Sequence, residues 1–191
     1  MEKIAMKKFE LTTDSIKRNG VTLYRIKSLI DFEDVKAGDL GGYVEKEENL
    51  SQSGNAWVYG NAEVSGDACV SGNARVSGDA CVSDDACVSG DALVYGDACV
   101  SGDACVSGDA LVSGDALVSG DADYIYLKGF GSHNRSTTMF RAKGGNICVS
   151  CGCFSGTLEE FESKVKETHG SNKFAREYLA LVEAAKIHFE V

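Results

Sequence analysis

Cys148, Cys151 and Cys153 follow a C-x2-C-x-C spacing, and thiolates at that density can ligate zinc. If the segment is a strand, Cys151 and Cys153 face one way and Cys148 the other, and no fourth ligand is near in sequence. The set therefore reads as small apolar residues, and no metal or other cofactor is expected. Three histidines are the candidate bases. His169, beside Gly170, reads as a helix C-terminal residue favoured by the dipole, and His188 as a surface residue. His133, in the turn Gly131–Ser136, has the open setting. The carboxylates are concentrated elsewhere: residues 54–122 hold ten Asp, Glu63 and a single base, Arg75, which accounts for the whole net charge of -10. Such an acidic excess argues against direct binding of nucleic acid or an anionic membrane.

The elements that position these groups follow from a repeat. From Gly54 to Ile125 the chain steps in twelve six-residue units such as GNAEVS, GDACVS and GDALVY. Ala is third in all twelve and Val fifth in eleven. Two residues apart on an extended strand, Ala and Val share one side, and the variable fourth residue between them takes the other. Gly followed by Asn or Asp tolerates the tight backbone of a corner. A helix would put Ala56, Ala62 and Ala68 on drifting faces, and each Gly would cost about 1 kcal/mol. One such unit buries nothing alone, so the units must coil and stack their strands about 4.8 Å apart around an Ala/Val core.

The unit Val70-Ser71-Gly72-Asn73-Ala74-Arg75 resembles the hexapeptide repeat of left-handed parallel β-helices. That resemblance implies three hexapeptides per coil and a left-handed winding, an exception to the right-handed crossover rule. Residues 18 apart then sit above one another. The outward positions form three rows: Trp57, Arg75, Leu93 and Leu111; Glu63, Cys81, Cys99 and Leu117; and Cys69, Cys87, Cys105 and Asp123. Rows this apolar are expected to be covered by another subunit, in a homotrimer as in many members of the family, or by the chain's own terminal segments. Leu93, Leu111, Leu117, Cys69, Cys81, Cys87, Cys99 and Cys105 are the expected interface residues. One corner row stacks Asp67, Asp85, Asp103 and Asp121, a weak candidate for divalent cations and otherwise turn chemistry.

The fold expected is mainly β, in three parts. Residues 1–37 form a small N-terminal β cap, with strands over Lys7–Thr12 and Val21–Ile30 joined at Asn19-Gly20. Residues 38–123 form the β-helix, opening with a degenerate coil in which Val44 and Leu50 take the Ala position. Residues 124–191 form a β3α2 module: strands Tyr124–Phe130, Thr137–Ala142 and Ile147–Phe154, then two helices. The first helix opens on a capping box, Thr157 with Glu160, and is supported by Glu160/Lys164 and Glu162/Lys166 pairs. Gly170 stops it, and Ser171 or Asn172 starts the second.

Many hexapeptide β-helices are acyltransferases that use a His at a subunit boundary, and related carbonic anhydrases ligate zinc with three coil His. The coil here has neither a His nor an insertion, so no catalytic residue and no enzymatic activity are expected. The segments GCFSGTLEEFESKVKETHG and REYLALVEAAK, and the chain as a whole, resemble phage-encoded hexapeptide-repeat proteins described as polymer-forming or acyltransferase-like. The resemblance implies a structural or interaction protein of phage or prophage origin that self-associates through its apolar faces. The alternatives are an acidic decoy for a host DNA-binding or defence protein, and an acyltransferase-like enzyme. No apolar run approaches the roughly 18 residues of a membrane span. The opening MEKIAMKKFELTT lacks a secretory h-region. The eight cysteines are therefore expected as reduced thiols of a cytoplasmic protein.

Overall fold

The computed structural model describes residues 7–191; residues 1–6, the start of the expected N-terminal cap, lie outside the described residues. Eleven two-residue strands, β4 (Trp57–Val58) to β14 (Leu117–Val118), make a parallel β-solenoid of about four turns. Each pairs with the strand 18 residues away, as Leu93 with Arg75 on one side and Leu111 on the other. The Ala and Val of every hexapeptide from Ala56 to Val118 are at most 1% exposed, so they fill the interior as the alternation requires. The repeat glycines from Gly54 to Gly114 turn the corners with φ between 61° and 79°. Asp84 takes the same left-handed turn at φ 59°, and its carboxylate accepts the Gly102 N–H at 3.1 Å.

A stacked coil leaves backbone groups unpaired at both ends, and the flanking segments satisfy them. Inside the solenoid each Ala carbonyl accepts from the preceding coil, as Ala74 does from the Trp57 N–H. At the first full coil three different donors take that place. Lys8 Nζ donates to Ala56 O, the Tyr43 N–H to Ala62 O, and the buried Asn49 amide to Ala68 O. At the far end the Cys105 N–H donates to Asp121 Oδ1, the Leu111 N–H to Thr138 Oγ1, and Tyr124 Oη to Cys105 O.

The N-terminal strands β1 (Phe9–Arg18) and β2 (Val21–Ser28) form an antiparallel hairpin turned at Asn19 and Gly20, both at positive φ. Through β3 (Leu40–Val44) the hairpin joins the solenoid sheet β5-β8-β11-β14. β1 runs to Arg18, six residues past the expected Thr12. Val44 pairs with Val64 and Leu50 with Val70, 20 residues apart, so both occupy the Val position rather than the Ala position. The segment between Leu50 and Trp57 absorbs the two-residue excess before the 18-residue register begins.

The repeat ends as structure at Val118. Asp121–Asp123 is a short 3-10 turn, which removes Asp123 from the expected outward row and pairs it with Arg141 at 3.1 Å. The C-terminal sheet has four strands instead of three: β15 (Tyr124–Phe130), β16 (Arg135–Arg141), β17 (Ile147–Cys151) and β18 (Phe154–Thr157). A two-residue hairpin at Gly152-Cys153, with Gly152 at φ 62°, splits the last expected strand. Alternation sorts this sheet into two faces. Phe140, Tyr124, Tyr126 and Cys148 pack against the solenoid core; Met139, Ile147, Val149 and Cys151 pack against the helices. Helix α1 (Leu158–His169) opens on the Thr157/Glu160 capping box, and α2 (Lys173–Phe189) on Asn172. Glu162 pairs with Lys166 as expected, but Lys164 pairs with Glu167, because the Glu160 carboxylate is taken by the Thr157 N–H. Among the described residues no helix is long and apolar enough to cross a membrane.

Candidate functional site

The outward rows assemble in the expected order. Arg75, Leu93 and Leu111 follow Trp57; Cys81, Cys99 and Leu117 follow Glu63; Cys87 and Cys105 follow Cys69. Their surroundings differ. Trp57 is buried under Phe9 and Phe32, whose rings meet it edge-on at 6.2 and 5.5 Å, and Arg75 is bound by Glu33 and Asp34. Leu111 is half-buried beside β16. The N-terminal segment and the C-terminal sheet thus cover part of the first row themselves. Leu93 and Leu117 remain 38% and 36% exposed, Cys105 is exposed, and Cys69, Cys81, Cys87 and Cys99 are half-buried. Burial, with Cys99 alongside, pushes the Cys81 thiol up to about 11; burial, with Cys87 alongside, raises that of Cys105. Thiols shifted this way stay protonated near neutral pH and present an apolar surface rather than a nucleophile.

The acidic corners are partly neutralised from within. Asn61 donates to Asp79 Oδ1 at 3.3 Å and Asn73 to Asp91 Oδ1 at 3.0 Å, each 18 residues on. Lys46 pairs with Asp67 and Lys128 with Asp109, holding both carboxyls below the usual range. Asp85 and Asp103 are exposed in the row, whereas Asp121 turns to cap the Cys105 N–H. Among the described residues no three His, Cys, Asp or Glu side chains converge as metal ligands.

Side chains able to do chemistry meet in the C-terminal module. A cavity of about 410 Å³ lies between the β15–β16 turn, the β17–β18 hairpin and the two helices. Phe154, Phe161, Val165 and Tyr178 line it with apolar surface, and Arg135, Lys164, His133, His169, Cys151 and Cys153 bring polar atoms to it. A hydrogen-bond chain orders one wall: Thr137 Oγ1 donates to Cys151 Sγ at 3.2 Å, the Cys151 thiol to Tyr178 Oη at 3.7 Å, and Tyr178 Oη to Phe130 O at 3.4 Å. Burial, then the bond to Cys151, pushes Tyr178 up to about 12, so its phenol remains a donor. The His169 ring stacks on Tyr178 with centroids 5.9 Å apart, and His133 Nδ1 lies 2.8 Å from Ser132 Oγ. His188 stands apart, its Nε2 2.9 Å from Ala122 O. Cys151 lines the cavity while Cys148 packs on the solenoid side, as strand alternation requires, and Cys153 reaches the cavity from the β17–β18 turn instead of from the expected strand. The grouping of these residues with α1 and α2 has no signature in the sequence beyond the open turn at His133.

Residues 68–84 match the profile described as the YdcK beta solenoid repeat. Over 51 residues, 27% of this chain, the sequence is 43% identical to "Uncharacterized acetyltransferase YdcK" of Escherichia coli (strain K12). The matched stretch spans 15% of that relative's length. The chain is a β-solenoid repeat protein similar to a protein named as an acetyltransferase. The expectation of no enzymatic activity, drawn from a coil without histidine, is overturned by that relative's name.

Proposed function

We propose that the protein is a self-associating β-solenoid, a homotrimer of coils wound left-handed with three hexapeptides per turn, whose C-terminal module carries the ligand chemistry. The 18-residue register supports the coil count, and the winding hand follows the sequence resemblance. The observation that carries self-association is the pair of outward leucines, Leu93 and Leu117, left exposed beside rows of free cysteines on parallel sheets. A reducing, cytoplasmic setting belongs to the proposal, because the thiol rows act as an apolar surface only while reduced. Sedimentation velocity in reductant tests it. A trimer that Leu93→Glu or Leu117→Glu converts to monomer is the expected result. A wild-type monomer over the whole concentration range overturns it.

A second reading, acyl transfer, is favoured by the name of the relative. The solenoid offers no histidine, so a base would come from His133 or His169 of the C-terminal cavity. Incubation with acetyl-coenzyme A and a panel of amine and hydroxyl acceptors checks it: acetylated product that His133→Gln or His169→Gln abolishes supports this reading.

A further inference from the structure

We propose that the C-terminal cavity binds a small organic carboxylate, its apolar body against Phe154, Phe161, Val165 and Tyr178 and its charged end on Arg135. The volume, about 410 Å³, falls within the range of small-molecule sites, and the wall composition matches: mostly aromatic and aliphatic, with a few convergent polar groups. Among the described residues no carboxylate lines it. This contrasts with the open cleft along α1, which is edged by Glu159, Glu160 and Glu167 and disfavours an anion.

Arg135 is the distinguishing residue. Arg18, Arg75 and Arg141 are each paired with a carboxylate within about 3.3 Å, Arg25 lies 3.9 Å from Asp14, and Arg176 is exposed on α2, away from the cavity lining. Among the described residues the half-buried Arg135 guanidinium has no ion-pair or hydrogen-bond partner, so its charge is partly desolvated and uncompensated. Its fork matches a carboxylate in bidentate geometry. Gly152 permits that placement, since a side chain there would collide with the guanidinium. Lys164, at the rim, is already engaged by Glu167 at 2.9 Å and adds a positive field rather than a second fork, which favours a carboxylate over a phosphate. In a chain of net charge -10 this pocket is a local exception, and the inference does not depend on whether the solenoid self-associates.

Cys153 supplies the readout, because it is exposed, lines the cavity, and can be compared with the exposed Cys105 of the solenoid. Alkylation of both thiols by iodoacetamide is followed by peptide mass spectrometry on the intact chain, with 4-phenylbutyrate, 4-phenylbutyramide or phenyl phosphate present. Saturating 4-phenylbutyrate is expected to slow Cys153 about fivefold or more and to leave Cys105 unchanged, with the amide about tenfold weaker as a protectant. Arg135→Gln is expected to remove the preference for the acid. Equal protection by acid and amide, or none by either, overturns the site. Stronger protection by phenyl phosphate than by the carboxylate overturns the ligand class. If Arg135→Gln does not fold, the acid-to-amide comparison on the wild-type chain decides the matter alone.

Discussion

Lys8 Nζ lies 2.9 Å from the carbonyl oxygen of Ala56, the first repeat alanine, and Lys8 is 1% exposed. An ammonium group plugs the end of the coil because the Ala56 carbonyl has no preceding coil to supply an N–H. The Phe32 ring, 5.5 Å away, covers it from the side. The opposite end is closed by two acceptors, Asp121 and Thr138, together with the Tyr124 hydroxyl as a donor. A parallel solenoid grows by adding coils, so these caps also keep further strands from pairing onto its ends.

Burying that ammonium lowers the Lys8 pKa from 10.5 to about 8. Between those values the unfolded chain holds a proton that the folded chain has released, so this contribution to stability rises with pH across the window. Unfolding free energies of the wild type relative to Lys8→Met are expected to increase by about 3 kcal/mol between pH 7 and pH 11. Taking the difference removes the opposite slope from Cys81, whose raised thiol pKa loses stability above pH 9. A flat difference would show that the ammonium is solvated.

Gly78 and Gly114 share the left-handed corner, with φ 74° and 63°, but differ above it. An added Cβ at Gly78 would lie 2.9 Å from Gly96 N, whereas at Gly114 it would meet none of the described residues within 4 Å. Gly114→Ala should cost about 1 kcal/mol from backbone strain alone. Gly78→Ala should cost more, and urea denaturation of the two variants measures the excess due to coil stacking.

Thr138→Val keeps the shape of the side chain but removes the acceptor for the Leu111 N–H. A destabilisation of about 1–3 kcal/mol is expected, with faster hydrogen exchange at the Leu111 amide than at Leu93, whose N–H donates within the solenoid. Unchanged exchange at Leu111 would mean that water serves equally well.

Asp85 and Asp103 are stacked, exposed and without the amide bridge that relieves Asp79 and Asp91. Asp103→Asn should raise the melting temperature at low ionic strength and lose that advantage in molar salt, where screening acts within a few ångström. A gain that persists in salt would point to turn propensity instead of repulsion.

Sorting the outward residues into rows took the three-unit coil that the family resemblance implies; the six-residue period by itself fixed the inward Ala/Val core, the glycine corners and the outward side of the fourth residue. Each of these follows from strand alternation and local backbone preference, which neighbouring residues encode. The capping box at Thr157 and the cap at Asn172 were legible for the same reason. Only the tertiary structure decided where the register slips by two at Val44 and Leu50, how Phe9 and Phe32 bury Trp57, and how Arg135, Cys151 and Tyr178 come to share one cavity. Those arrangements join residues distant in sequence. Packing and the satisfaction of unpaired backbone groups set them, and neither leaves a periodic trace along the chain.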